Sequence, residues 1–277
     1  MQKLILLLPC CLIVQTLIGQ EHLKALQKKP FILGETLEIE SSILAEKRIL
    51  NIYLPEGYNK DDTINYPVIY LLEGAADEDF IHIVGLVQFC NFPWVNILPK
   101  SIVVGIANVD RRRDFTYPTA IEKDKKDFPT TGGSGKFITF IEKELQPFIE
   151  QQYKTNSSKT LIGQSFGGLL ATEILFNHSK LFNKYIIISP SLWWGKESLL
   201  AKDPNFTSLR EKIEVYIAVG KEGKIMERDA KKLYQLLNKN LDLRTHFQYF
   251  PDKDHATIYH QAVYQAFEKL DSSEGEH

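Results

Sequence analysis

Thr160-Leu161-Ile162-Gly163-Gln164-Ser165-Phe166-Gly167-Gly168-Leu169-Leu170-Ala171 is the stretch on which the fold turns. The apolar run Thr160 to Ile162 reads as the end of a strand, and Gly167 to Ala171 opens a helical pattern that continues to Asn177. Between them, Gly163-Gln164-Ser165-Phe166-Gly167 has the Gly-x-Ser-x-Gly spacing of a nucleophile elbow, a strand-to-helix turn that presents a serine hydroxyl at the top of a sheet. Small residues suit that geometry. The tight turn strains the backbone at Ser165, and glycines at 163 and 167 relieve contacts between strand and helix.

Outward from the elbow, Tyr66 to Leu72, Ser101 to Ala107, Lys159 to Gly163, Tyr185 to Ser189 and Val215 to Val219 are short runs rich in Ile, Val, Tyr and Leu. Such near-continuous apolar runs are expected of strands buried on both faces of a mostly parallel sheet. Thr36 to Ile43 and Arg48 to Leu54 instead alternate in part between apolar and polar, which predicts an N-terminal antiparallel hairpin. Helical spacing is clearest over Ser134 to Gln151, where Phe137, Ile138, Phe140, Ile141, Leu145, Phe148 and Ile149 share a stripe and Pro147 predicts a kink. Gly167 to Asn177, Met226 to Asn238 and Ile258 to Leu270 are further helices, and Leu243 to Phe250 is the last strand. With no break in composition, residues 20–277 read as one α/β domain whose sheet is covered by helices on both faces. The polar stretch Asp124 to Gly135 is expected to be a long functional loop.

Composition narrows the class. Of 277 residues 44% are hydrophobic and 25% charged, enough to fill a core and too apolar for disorder. A formal net charge of -2 offers no footprint for a nucleic-acid backbone. Three cysteines, two of them adjacent at 10 and 11, supply neither a disulfide framework nor a four-thiolate zinc site, and no metal or cofactor is called for. Met1 to Gly19 carries the single charge of Lys3 before the apolar run Leu4 to Val14, the pattern of a signal peptide. Residues 1–19 are therefore expected to be removed and the mature chain to be secreted or periplasmic, without a membrane span. Retention as an N-terminal anchor is the alternative, and lipidation at Cys10 is disfavoured by Leu8 and Pro9 before it.

A serine hydroxyl needs a base to take its proton. Of seven histidines, His22 and His277 lie near the termini, His82 and His178 in helical segments and His246 within the last strand. His255 sits in the polar loop Pro251-Asp252-Lys253-Asp254-His255 just after that strand, where hydrolase triads of the order Ser, acid, His place the base; His260, one turn into the final helix, is the alternative. An acid is expected between the two, after another strand. Glu222 follows Val215 to Gly220 at once, at the carboxyl end of a strand where open α/β sheets gather their sites. Its rivals Glu227 and Asp229 fall in the first turn of a helix, where acidic residues suit the helix dipole, and Asp252 and Asp254 are close enough to His255 to shape its loop.

Leu161 to Gly168, the segment Ser189-Pro190-Ser191-Leu192-Trp193-Trp194 and the run Pro67 to Gly74 resemble the putative-esterase family of α/β hydrolases, which includes esterase D, siderophore trilactone esterases and feruloyl esterases. The resemblance covers about residues 35 to 270 and implies an α/β-hydrolase fold. It further implies a serine esterase acting on a small-molecule ester, with an oxyanion hole at the amides of Ala75 and Phe166. Many relatives carry Asp where this chain has Glu73, and some siderophore esterases work with a Ser-His dyad, which bears on Glu222. Trp193 and Trp194 follow a strand end and are candidates for an aromatic wall. In the resembling family an Arg-x-Arg-Asp segment lies beside the pocket, so Arg111, Arg112 or Arg113 is a candidate for holding a carboxylate or catecholate. Two other functions stay open: hydrolysis of a siderophore trilactone by a dyad, and a catalytically silent binding module on the same fold.

Overall fold

In the computed structural model, which describes residues 27–202, 204, 206 and 212–271, the run Tyr66–Leu72 lies at the centre of an eight-stranded sheet. The compact unit that contains this sheet begins at Leu33; residues 27–32 belong to a separate N-terminal unit and have no regular secondary structure. The signal peptide expected at residues 1–19 lies outside the described residues.

Along the chain the elements are β1 (Glu35–Ser41), β2 (Glu46–Tyr53), β3 (Tyr66–Leu72), α1 (Phe80–Cys90), β4 (Ile102–Ile106), α2 (Arg111–Phe115), α3 (Glu122–Asp127), α4 (Ser134–Phe140) and α5 (Gln146–Gln152). Then follow β5 (Thr155–Gln164), α6 (Phe166–Asn177), β6 (Lys184–Ile188), α7 (Trp194–Glu197), β7 (Ile213–Gly220), α8 (Lys224–Leu237), β8 (Leu243–Phe250) and α9 (Tyr259–Asp271). The strand order is β1-β2-β4-β3-β5-β6-β7-β8, with β2 antiparallel to β1 and β4 and all other pairs parallel. This is the mixed α/β-hydrolase arrangement expected above.

Because side chains alternate along a strand, β3 feeds two cores. Val68, Tyr70 and Leu72 pack on the face shared with Phe137, Leu145, Leu170 and Leu233, whereas Ile69 and Leu71 pack with Ile83, Val87, Val263 and Phe267 of α1 and α9. Burial on both faces is why these strands are apolar throughout. The parallel strands all end at one edge of the sheet, and the loops after β3, β4, β5, β6, β7 and β8 carry the candidate site.

The expected helix Ser134 to Gln151 breaks earlier than Pro147. Residues Ile141–Leu145 form a wider π turn in which the Gln146 amide reaches back to the Ile141 carbonyl. Pro147 has no N–H to give to the preceding turn, so it sits at the start of α5, where that donor is not needed, and the misfit is absorbed upstream. The expected loop Asp124 to Gly135 also changes, since α3 enters it and α4 begins within it.

The three arginines at 111–113 are helical. Asp110 caps α2 by accepting the amides of Arg112 and Arg113, and Asp114 at its end is buried against Arg48 of β2. Arg48 is fully buried and its Nη1 lies 2.8 Å from Asp114 and 2.7 Å from Glu46. Removing one partner of a buried pair strands the other charge. Asp114→Asn should therefore cost about 3 kcal/mol of stability, the lower end for such pairs because Glu46 still faces Arg48. A urea unfolding series reads this as a lower midpoint, and a loss under about 1 kcal/mol would place the pair among surface ion pairs.

Candidate active site

Ser165 occupies the strained geometry that the elbow requires, with φ 57° and ψ -118°. Its amide donates to the Ile188 carbonyl at 3.0 Å, and its own carbonyl accepts from Ser191 and Leu169, both at 3.0 Å, so three elements pin the turn. Glycine at 163 is required by contact, because a Cβ there would stand 2.4 Å from the Gly167 carbonyl oxygen. The Ser165 hydroxyl lies 3.3 Å from that of Ser191, its hydrogen-bond partner among the described residues.

His255 and Glu222 are brought together. His255 Nδ1 lies 2.5 Å from Glu222 Oε2, while Glu222 Oε1 accepts the Ser189 hydroxyl at 2.5 Å and the Gly220 amide at 2.9 Å. The carboxylate is thus held on both oxygens at only 3% exposure, and the imidazole stays accessible at 47%. The His255 loop is fixed on the far side as well. Gln164 Nε2 donates to the His255 carbonyl at 2.5 Å, the Lys221 amide donates to the Lys253 carbonyl at 2.6 Å, and Asp254 accepts the amides of Ala256 and Thr257.

The electrostatics follow. The hydrogen bond to Glu222 raises the His255 pKa above its ordinary 6.5, against the opposing effect of burial, and the Glu222 charge adds to the rise. Burial pushes Glu222 up, but the bonds from His255, Ser189 and Gly220 outweigh it and hold the carboxyl below its usual range.

The alternatives are engaged elsewhere. His260 stacks on His82, with Nδ1 2.7 Å from His82 Nε2. Glu227 accepts the amides of Glu222 and Gly223 at 3.1 and 3.0 Å and so shapes the loop that carries the acid. Asp229 is fully buried and bound to Arg228.

The remaining candidates divide. Arg111 lies over the Phe166 ring, 5.5 Å from its centroid, and its Nη2 is 2.6 Å from Glu73 Oε1. Trp193 is partly buried and packs on Phe166 and Phe128, at 5.9 and 6.0 Å between centroids. Trp194, by contrast, is fully buried and donates its indole N–H to the Tyr117 carbonyl at 2.9 Å, which makes it framework rather than wall. Arg113 spends its fork on Glu46 and Asp114, and Arg112 is exposed beside the Phe128 ring. The Phe166 amide opens α6, where helix geometry leaves N–H groups without intrahelical partners. The Ala75 amide donates to Glu78 Oε2 at 3.0 Å. Among the described residues no three metal-ligating side chains gather, and no helix is long and apolar enough to cross a membrane.

The sequence names Ser189, Ser191 and Glu73 only within the family resemblance and assigns none of them a role. The first two stand in the segment that carried the family resemblance, and their spacing puts one hydroxyl on the acid and the other on the nucleophile. Glu73 offers no local pattern, yet it has φ 59° and its carboxyl is pushed up to about 7, by burial first and by Asp79 and Glu78 next, against Arg111.

A family model described as putative esterase matches residues 41–269. Ferri-bacillibactin esterase BesA of Bacillus subtilis is 30% identical over 236 residues, 77% of this chain and 81% of that protein. Among solved structures, an IroE-like serine hydrolase from Shewanella oneidensis superposes with a TM-score of 0.76 at 30% identity, covering 86% of this chain and 80% of that one. The BES protein from Bacillus cereus gives 0.78 at 27% identity, covering 88% and 98%.

Proposed function

The chain belongs to the putative-esterase family of α/β hydrolases, which are carboxylic ester hydrolases, and from that premise we propose that it is a serine esterase working through a Ser165-His255-Glu222 triad. The observation that carries this reading is the His255–Glu222 pair, anchored by Ser189 and Gly220 on the same edge of the sheet as the strained Ser165 turn. Glu222 keeps the proton of the neutral imidazole on Nδ1 and leaves Nε2 as the base. Ser165 Oγ attacks the ester carbonyl carbon as Nε2 takes its proton. The tetrahedral oxyanion is received by the amides of Phe166 and Ala75, the latter exchanging Glu78 for the substrate oxygen. Collapse expels the alcohol, which takes the proton back from the imidazolium, and water then attacks the acyl-enzyme by the same route.

The similarity to a ferri-bacillibactin esterase over 77% of this chain supports a second, narrower reading, in which the ester belongs to a siderophore. Both readings use the same serine.

A fluorophosphonate probe tests the chemistry. The adduct should map to the peptide holding Ser165, and both labelling rate and kcat/KM should fall about tenfold per pH unit on the acid side. The sign follows from the base: only neutral His255 accepts the proton, so activity is lost as pH falls through its pKa, which lies above 6.5 because Glu222 stabilises the imidazolium. A profile flat from about pH 5 to 8, or an adduct on another serine, would overturn the assignment.

A further inference from the structure

We propose, on the esterase reading above, that Glu73 determines the charge of the ester this site accepts, because it neutralises Arg111 and so selects an uncharged group for the position beside that guanidinium. Glu73 stands just past β3 in a left-handed conformation that a residue with a Cβ adopts only when its surroundings impose it. Its amide and carbonyl neighbours fix that turn: the Gly74 amide donates to the Ile106 carbonyl at 3.0 Å and the Asp79 amide to the Glu73 carbonyl at 3.1 Å.

The turn aims the carboxylate at the elbow. Oε1 holds Arg111 at 2.6 Å, and Oε2 lies 3.5 Å from where a Cβ on Gly167 would stand, against the first turn of α6. Arg111 in turn covers the ring of Phe166, the residue after the nucleophile. Both groups act on the base, Glu73 favouring and Arg111 opposing the charged form of His255, which places them within electrostatic range of the reacting atoms.

Above about pH 7, where the Glu73 carboxyl is ionised, an anionic substrate group entering here meets a guanidinium whose charge is already matched. Glu78 and Asp79, whose charges act on Glu73, add to the negative potential around it. Arg111 nevertheless stays within reach of a substrate, since its side chain is 37% exposed and Glu73 is its ion-pair partner among the described residues. Neutralising Glu73 would therefore expose a cation ready for a carboxylate or phenolate. Discrimination of this kind rests on a repulsive element facing the wrong ligand rather than on a new attraction to the right one.

The test compares one ester in two charge states, 4-acetoxybenzoate and 4-acetoxybenzamide, at a pH well above 7 so that Glu73 is ionised. Wild type should prefer the uncharged amide. In Glu73→Gln the ratio of kcat/KM for anion over amide should rise at least about tenfold, mainly through a lower KM for the anion, and the rise should vanish in Glu73→Gln/Arg111→Gln. A merely structural Glu73 would lower kcat for both esters and leave the ratio in place. A ratio within about twofold of wild type, or an equal rise in the double variant, overturns the proposal. Calorimetric titration of both compounds into Ser165→Ala and Ser165→Ala/Glu73→Gln reads the same ratio as affinity. Absence of hydrolysis by wild type would then count against the esterase, while the affinity ratio still decides the charge rule.

Discussion

Ser165→Ala should abolish turnover, with kcat for a neutral aryl ester falling by up to about 10⁶-fold, the size of loss when the nucleophile of a serine hydrolase is removed. The substitution deletes one oxygen whose hydrogen-bond partner among the described residues is Ser191 Oγ at 3.3 Å. The backbone bonds of the turn are untouched, since they run through the amide and carbonyl of residue 165. Alanine suffers the same strain at φ 57° as serine, so the thermal midpoint should stay close to wild type. Loss of activity together with loss of fold would say nothing about chemistry, and for that reason kcat and melting temperature are measured on the same preparation. A folded variant retaining activity within about tenfold of wild type would remove Ser165 from the mechanism.

How far such a site can be read from sequence depends on whether the forces that build it are local. The elbow was legible because strand, turn and helix are contiguous and glycine at 163 is demanded by a contact only four residues away. The strands were legible because burial on both faces leaves no polar alternation. His255 and Glu222 were legible for a topological reason: in a parallel sheet every loop after a strand's carboxyl end reaches the same edge.

What escaped depends on partners distant in sequence. The helix at 111–115 is set by the local Asp110 cap together with the burial of Asp114 against Arg48, 66 residues away, and the charge pattern Arg-Arg-Arg-Asp alone reads as solvated loop. Trp193 and Trp194 are adjacent and chemically identical. Both rings pack on Phe166 and Phe128, and only the register of their turn leaves Trp193 partly exposed and buries Trp194 with its N–H on Tyr117. Arg111 and Arg113 separate in the same way, one over Phe166 and the other clamped on Glu46. Ser189 escaped because its role is defined by an acceptor 33 residues later.

Glu222→Gln is the substitution that decides between triad and dyad. A glutamine keeps the size and the oxygen facing Ser189 and the Gly220 amide, but it can turn its NH₂ toward His255. An NH₂ donating to Nδ1 holds the imidazole in the tautomer with its proton on Nε2, the nitrogen that must be free to act as base. In a triad, kcat should then fall by up to about 10⁴-fold with little change in KM, because geometry and substrate contacts survive while the base is lost. The acid limb of the residual activity should also shift toward lower pH, since the bond to Glu222 is the largest cause of the raised His255 pKa. In a dyad the same substitution should cost less than about tenfold, roughly 1.4 kcal/mol of transition-state stabilisation. Glu227→Gln and Asp229→Asn calibrate the result. Glu227 supports the loop by accepting the amides of Glu222 and Gly223, and Asp229 is bound to Arg228, so each should cost no more than about tenfold. A large loss at Glu227 or Asp229 with a small one at Glu222 would mean that the carboxylate nearest the imidazole in space is not the one that orients it in catalysis.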